Sequence, residues 1–300
     1  ADYPPDRLEV VVASEGSADA TVATVRATAA VDRRLTCLDL PRKGKAHALN
    51  RAVDALGDVD VVVFTDANSL LEPASLRALV APFADSEVGG VAGDQRYLPA
   101  SGLDEAHGER SYWSLDRLLK RAQSDAGNVI GATGALYAVR RELVGSVPEG
   151  VTDDFTTSTA VIEQGRRLVF SPDAVAWEPV AEAGGQEYAR KVRVMTRGLQ
   201  GVRVRRRLLD PRAHGFYAYQ LASHKVLRRL MGIPLAVLAA SAAARWRRSR
   251  LSRLVVAGFA GTLGAAAVSA SISSSIGSGR VSALIPISAQ ISSTVRREIP

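Results

Sequence analysis

Short apolar runs punctuate the first third of the chain, each closed by polar, turn-forming residues: LEVVVA (8–13), LTCLDL (35–40) and VDVVVF (59–64). Continuous runs of this length predict strands buried on both faces of a parallel sheet. Between them, residues 18–31 and 45–56 carry apolar side chains every three or four positions and predict helices. Strand and helix in alternation predict an α/β layered fold with right-handed crossovers. Further along, 88–94 and 134–141 predict strands, 104–127 a long polar helix, and 167–179 a strand and turn. Residues 152–165 predict a helix with Thr152 and Asp153 as caps and Gly165 at its end.

Two uncharged stretches, 230–244 and 254–270, flank the basic RWRRSR of 245–250. Each is slightly short for a comfortable membrane span, and as a pair they predict a helical hairpin. It either enters or lies on a membrane, or packs as a buried soluble pair. The Ser-rich 269–279 reads as poor helix.

Composition sharpens the picture in two places. With 47% hydrophobic and 23% charged residues the chain is globular, and its single cysteine, Cys37, excludes an intrachain disulfide and any cysteine-rich metal site. Its apolar setting predicts a core position for Cys37. The net charge of +7 is unevenly spread: residues 1–189 carry 18 Lys and Arg against 29 Asp and Glu, whereas 190–253 carry 17 against Asp210 alone. A basic segment beside apolar helices points to an anionic membrane surface. Nucleic acid is the poorer partner, because few aromatic residues stand among those arginines to stack on bases.

Ligands of such α/β sheets gather at the carboxyl ends of the strands. Two polar segments fall there, Glu15 to Asp19 and Asp66 to Asn68. Asp66 and Asn68, two apart, suit either an Asx-turn or N-cap, or a divalent cation whose shell is completed by phosphate and water. In PRKGKAHALNRA (41–52), three cations surround Gly44 at a helix start, which is either a solvated turn or a diphosphate cradle. TDDF (152–155) offers adjacent carboxylates, one of which is suited to act as a general base toward a hydroxyl. Arg190, Arg193 and Arg197 share one helix face, able to clamp a pyrophosphate or to lie along anionic lipid. The four histidines show no metal-ligand spacing.

Taken in order, these segments resemble the inverting family 2 glycosyltransferases, the group that contains the cellulose and hyaluronan synthases. VVVASEGSADAT (10–21) resembles the family's nucleotide-contacting strand end, with Glu15 for the usual Asp, and GKAHALNRA (44–52) its GK-x-x-ALN helix start. FTDAN (64–68) resembles the DxD metal motif with Asn68 in the second acidic place, and ATGALYAVRR (132–141) the acceptor loop. TDDF resembles the TED motif, whose last acid is the base, and RKVRV (190–194) the QxxRW motif with Arg190 and Val194 substituted. ASHKVLRRL (222–230) resembles the juncture before the membrane helices of bacterial members.

The resemblance implies a GT-A nucleotide-diphosphosugar transferase fold over 1–207, a basic interfacial region at 208–232, and a membrane hairpin and tail at 233–300. On this resemblance the chain is expected to open after the family's first strand. The implied reaction moves a sugar from a UDP- or GDP-linked donor to a hydroxyl of a glycan or lipid acceptor, in cell-envelope polysaccharide or glycolipid synthesis. Asp154 is the implied base, Gly134 the acceptor-side residue, and Asp66 with Asn68 the ligands of Mg²⁺ or Mn²⁺. Glu15, Lys45, Asp66, Arg190 and Arg193 are the implied donor contacts, and the plasma membrane the implied location, with the catalytic part cytoplasmic. Val194 in place of Trp removes an aromatic platform and argues against long processive synthesis. A catalytically inactive, membrane-anchored sugar-nucleotide binder is the alternative, with Asn68 as its support.

Overall fold

The computed structural model describes residues 1–98, 106–179 and 186–276, except for the side chains of 106–114, 186–191, 263 and 266–276. These residues divide into two compact units, 1–230 and 231–300.

The first unit begins with the expected alternation. Strand β1 (Val10–Glu15), helix α1 (Thr21–Val31), strand β2 (Leu35–Leu40), helix α2 (Lys45–Ala55) and strand β3 (Val61–Phe64) follow one another in sequence. Strand β4 (Leu70–Leu71), helix α3 (Ser75–Val80), strand β5 (Val88–Tyr97) and helix α4 (Ala106–Asp125) come next. Strand β6 (Tyr137–Arg140), helix α5 (Asp153–Glu163), strand β7 (Arg167–Glu178), helix α6 (Gln186–Val204) and helix α7 (Pro211–Leu221) complete the main elements.

The sheet differs from the expected parallel one. β1 and β2 form a two-stranded parallel pair, while a second sheet runs β3-β6-β5-β7-β4. Within it β5 and β7 are parallel, whereas β3–β6, β5–β6 and β4–β7 are antiparallel. Among the described residues β3 pairs only with β6, and β1 only with β2. The continuous apolar run of β3 did mark burial on two faces. Val62 and Phe64 enter one core cluster with Val139, Phe155 and Leu168, while Val61 and Val63 pack against the other around Leu79, Val91 and Ala176. Side chains alternate across a strand, so a run of four supplies two residues to each layer.

Two local expectations also change. The segment 167–179, read as a strand and turn, is one strand, β7, with an irregularity near Pro172, where register with β5 shifts between Ala92 and Asp94. A proline cannot donate to the ladder, so it occupies the break. Cys37 is only half-buried, on the thinly covered β2.

Helix α7 belongs to the core of the first unit. Leu221 is fully buried, and the Tyr217 hydroxyl donates to Ile130 O at 3.0 Å. The helix continues through a π-helical stretch, Ala222–Leu227, into a short helix α8 (Arg228–Leu230).

The second unit contains helix α9 (Gly232–Ala244) and helix α10 (Arg250–Ile276). α10 extends through the serine-rich stretch to Ile276, further than its composition predicts. No single described helix is long and apolar enough to cross a membrane. The segments Pro211–Leu230 and Gly232–Ala244 satisfy length and composition only when taken together.

Candidate active site

The site is built where β3, α2 and α5 end or begin. β3 delivers Asp66 into a turn closed by Ser69 N donating to Asp66 O at 3.0 Å, and Asn68 stands exposed within that turn. Thr65 Oγ1 donates to Ala135 O at 2.8 Å, tying this turn to the loop before β6. That loop carries Gly134. A Cβ there would come within 2.6 Å of Asp66 Oδ2, so only glycine leaves room for the carboxylate as it stands.

Lys45 opens α2 after Gly44, whose φ of 105° favours glycine. Its ammonium lies 2.8 Å from Asp66 Oδ1 and 3.0 Å from Asp153 Oδ2. One cation therefore joins two carboxylates from different elements. These ion pairs raise the Lys45 ammonium above its ordinary value, although burial, the largest single influence, opposes them. Glu15, at the end of β1, accepts hydrogen bonds from the Lys43 and Gly44 amides and so fixes the loop that presents Lys45. One oxygen of Glu15 is thereby engaged by backbone.

Asp153 and Asp154 form the first turn of α5. Thr152 occupies the N-cap position without a side-chain capping bond. Instead, Asp154 Oδ1 accepts from Phe155 N at 2.6 Å. Burial pushes the Asp154 carboxyl above the usual carboxylate range, and Asp153 adds to this. The Lys225 ammonium, the Phe155 N–H and Lys45 pull the other way. Beside them the buried Tyr137, stacked on Phe64 at 4.8 Å between centroids, is held well above its ordinary value by burial and by Asp153 and Asp154.

The structure thus brings Lys45, Asp66, Asp153, Asp154 and Gly134 into one locality, with Glu15 supporting it from behind. Arg193 and Arg197 lie exposed on α6, and the Arg190 side chain falls outside the described residues. Sequence reading missed Asp153 as the partner of Lys45, and missed Tyr137 and Lys225 altogether. A lysine immediately following His224 in a basic stretch carries no periodic mark to separate it from surface cations.

The donor set suits a hard divalent cation. Asp66 and Asn68 offer oxygens from a single turn, and no group of three His, Cys, Asp or Glu residues that could hold a metal occurs among the described residues. Two protein oxygens would leave the rest of a Mg²⁺ or Mn²⁺ shell to diphosphate and water, the usual arrangement for substrate-bridging ions.

The layered α/β domain carries an acid–lysine cluster at its strand ends, and comparison with known proteins gives the family. The family described as "Glycosyltransferase like family 2" matches residues 1–201, and the chain belongs to it. The mannosyltransferase PcManGT from Pyrobaculum calidifontis, solved in complex with GDP-Man and Mn²⁺, superposes with a TM-score of 0.67 at 29% identity. The match covers 87% of this chain and 72% of that one. The fold is accordingly of the GT-A type.

Among curated proteins, the chain is 25% identical over 194 residues to a poly-beta-1,6-N-acetyl-D-glucosamine synthase of Staphylococcus aureus (strain COL), covering 63% of this chain and 47% of that relative. It is 23% identical over 198 residues to the protein of the same name from Staphylococcus epidermidis, covering 64% and 47%. The chain spans about half the length of the curated relatives it matches.

Proposed function

We propose that the chain is an inverting glycosyltransferase that moves one sugar from a nucleotide-diphosphosugar to an acceptor hydroxyl. The observation that carries the reading is the convergence of Lys45, Asp66, Asp153 and the buried Asp154 at the ends of β3, α2 and α5. Asp154 takes the proton of the acceptor hydroxyl. The freed oxygen attacks the anomeric carbon from the face opposite the diphosphate, the carbon–phosphate-oxygen bond breaks, and the nucleoside diphosphate leaves with its electron pair. A carboxylate whose affinity for protons is raised by burial is a better base at neutral pH than an exposed one.

Asp66 and Asn68 would hold Mg²⁺ or Mn²⁺, which supplies charge stabilisation to the departing diphosphate. Lys45 and the α6 face carrying Arg190 and Arg193 contribute positive charge to the same group. Glu15 orders the loop before Lys45 and contacts the nucleoside through its second oxygen. Gly134 keeps the acceptor side of Asp66 open.

The synthase names of the curated relatives support a role in cell-envelope polysaccharide or glycolipid synthesis, and the neighbour solved with GDP-Man supports a nucleotide-linked donor. The second unit associates with the plasma membrane, with the catalytic domain on the cytoplasmic side. In support, α9 exposes Ile233, Leu235, Val237 and Leu238 and buries only Ala242. A helix apolar all round is stable only inside protein or lipid.

The test is donor turnover over a panel of UDP- and GDP-sugars with Mn²⁺, comparing the wild-type chain with Asp154→Asn. Equal turnover in both removes the base assignment. Absence of both turnover and metal-dependent nucleotide binding removes the enzyme reading.

A further inference from the structure

The helix that leaves the catalytic core is interrupted beside the base. Over Ala222–Leu227 it is π-helical, with Arg228 N donating to Ser223 O, five residues back, where an α-helix would use the carbonyl of His224. Such insertions re-aim the side chains that follow and cluster at functional sites. Here Lys225 and Arg229 are partly buried while His224 and Arg228 remain exposed. The Lys225 ammonium lies over the Phe155 ring, 5.0 Å from its centroid, and Phe155 is the residue whose N–H holds Asp154 Oδ1 at 2.6 Å.

The neighbouring helix is grooved to admit this arrangement. A Cβ at Gly198 of α6 would run into the Arg229 guanidinium, and one at Gly201 would come within 3.1 Å of Phe155 Cδ1. Arg229 Nη1 in turn donates to Lys225 O at 3.1 Å, which fixes the backbone that carries the lysine. Two glycines, a π-helical turn and a cation–π contact thus hold one lysine against the start of α5.

We propose that Lys225 is a positioning residue for the general base, its ammonium, seated over the Phe155 ring, setting positive charge beside the first turn of α5 that carries Asp154. This rests on the glycosyltransferase reading above. Burial drives both groups toward their neutral forms, and each opposes that tendency in the other. Among the described residues, the other charges and titratable groups around the pair are Asp153 on α5, Lys45 on α2, Tyr137 on β6, Lys120 on α4, and Arg228 and Arg229 on α8. Asp153 is engaged by Lys45 at 3.0 Å, and Lys120 by Asp116 at 2.9 Å. Lys225 is the cation with the largest influence on Asp154.

The experiment measures the pH profile of kcat/KM for donor turnover in wild type, Lys225→Met and Lys225→Arg, with UDP- and GDP-sugars and Mn²⁺. Alongside it run nucleoside-diphosphate affinity and thermal unfolding. We expect Lys225→Met to move the acid limb to higher pH, with a loss of tenfold or more at pH 7 that narrows as pH rises. Nucleotide affinity should be unchanged, and Lys225→Arg should restore the limb. Superimposable profiles in wild type and Lys225→Met would overturn the proposal. So would a loss uniform in pH and accompanied by weaker nucleotide binding, which would make Lys225 a ligand of the diphosphate.

Should the wild-type chain neither turn over any donor nor bind nucleotide in a metal-dependent way, the enzyme reading fails, and the pair is still read without activity. Unfolding temperatures of Asp154→Asn, Lys225→Met and the double variant are expected to be non-additive, as for residues in one charge pair. Additive shifts would overturn the pairing itself.

Discussion

The ammonium of Lys45 lies 2.8 Å from Asp66 Oδ1, and the same nitrogen reaches Asp153, so the end of β3 and the start of α5 are joined through one side chain. Charge supplied at that point acts on whatever negative group approaches Asp66. Lys45→Met is expected to lower kcat by about 10²–10³-fold, the range for removing one preorganised donor from developing charge. Lys45→Arg is expected to recover only part of the loss, since a planar guanidinium does not reproduce a point charge shared between two carboxylates. Steady-state kinetics on donor turnover checks both.

Asp154 must be ionised to act as a base. Activity is therefore present above its folded-state pKa and is lost as pH falls through it. Because burial raises that value, the acid limb of kcat/KM should lie above the range of an ordinary aspartate. Asp154→Asn should cost about 10²–10⁴-fold in kcat, the usual contribution of a positioned base, while leaving nucleotide affinity in place. Single-turnover kinetics with a parallel binding titration separates the two effects.

Gly134→Ala places a methyl group 2.6 Å from Asp66 Oδ2, too close for the carboxylate as it stands. Forcing an extra carbon into a filled space costs about 1–3 kcal/mol, and here it moves a proposed metal ligand as well. Metal-dependent nucleotide binding should weaken more than thermal stability does. Calorimetric titration with and without Mn²⁺ distinguishes them.

Asn68 supplies an uncharged oxygen beside Asp66. Asn68→Asp adds a second carboxylate, and cation affinity in oxygen sites follows ligand charge. Mn²⁺ should bind the variant more tightly in the absence of nucleotide, with a smaller gain when the diphosphate is present. Equilibrium titration of Mn²⁺ under both conditions is the check.

Away from the site, Arg205 clamps α5 from the end of α6. It donates to Glu163 Oε2 at 2.7 Å and to Thr156 O at 3.2 Å, and both side chains are largely covered. Glu163→Ala leaves the guanidinium without its acid partner and should destabilise the chain by about 1–3 kcal/mol, the cost of an unsatisfied covered group. Denaturant unfolding should show this with kcat nearly unchanged.

Much of the fold was legible because apolar runs and helical periodicity report burial directly. β1, β2, β3, β5 and β6, with helices α1, α2, α4, α5 and α6, all fall on the segments that the pattern marks. Sheet order was not legible. A run such as VVVF shows two covered faces and says nothing of its hydrogen-bonding neighbours, so an antiparallel β6 beside β3 could not be read from it. Within the site, Asp66, Asp154 and Lys45 stood out because each sits at an element end. Lys225 did not, because its placement depends on a π-helical turn and on Gly198 and Gly201 in another helix, an arrangement no spacing encodes.

Among the described residues one side of β1 and one side of β3 has no strand partner, which bears on handling the protein. Each presents a row of peptide N–H and C=O groups that no described strand takes up. Neither VVVASE nor VVVF contains the lysine, proline or bulge with which natural edges discourage recruitment. Such a border is a template for β-augmentation, and an extended apolar segment from another molecule satisfies it as readily as one from the same chain. A charged substitution on either border should lower any self-association at high concentration, which light scattering against the wild type checks.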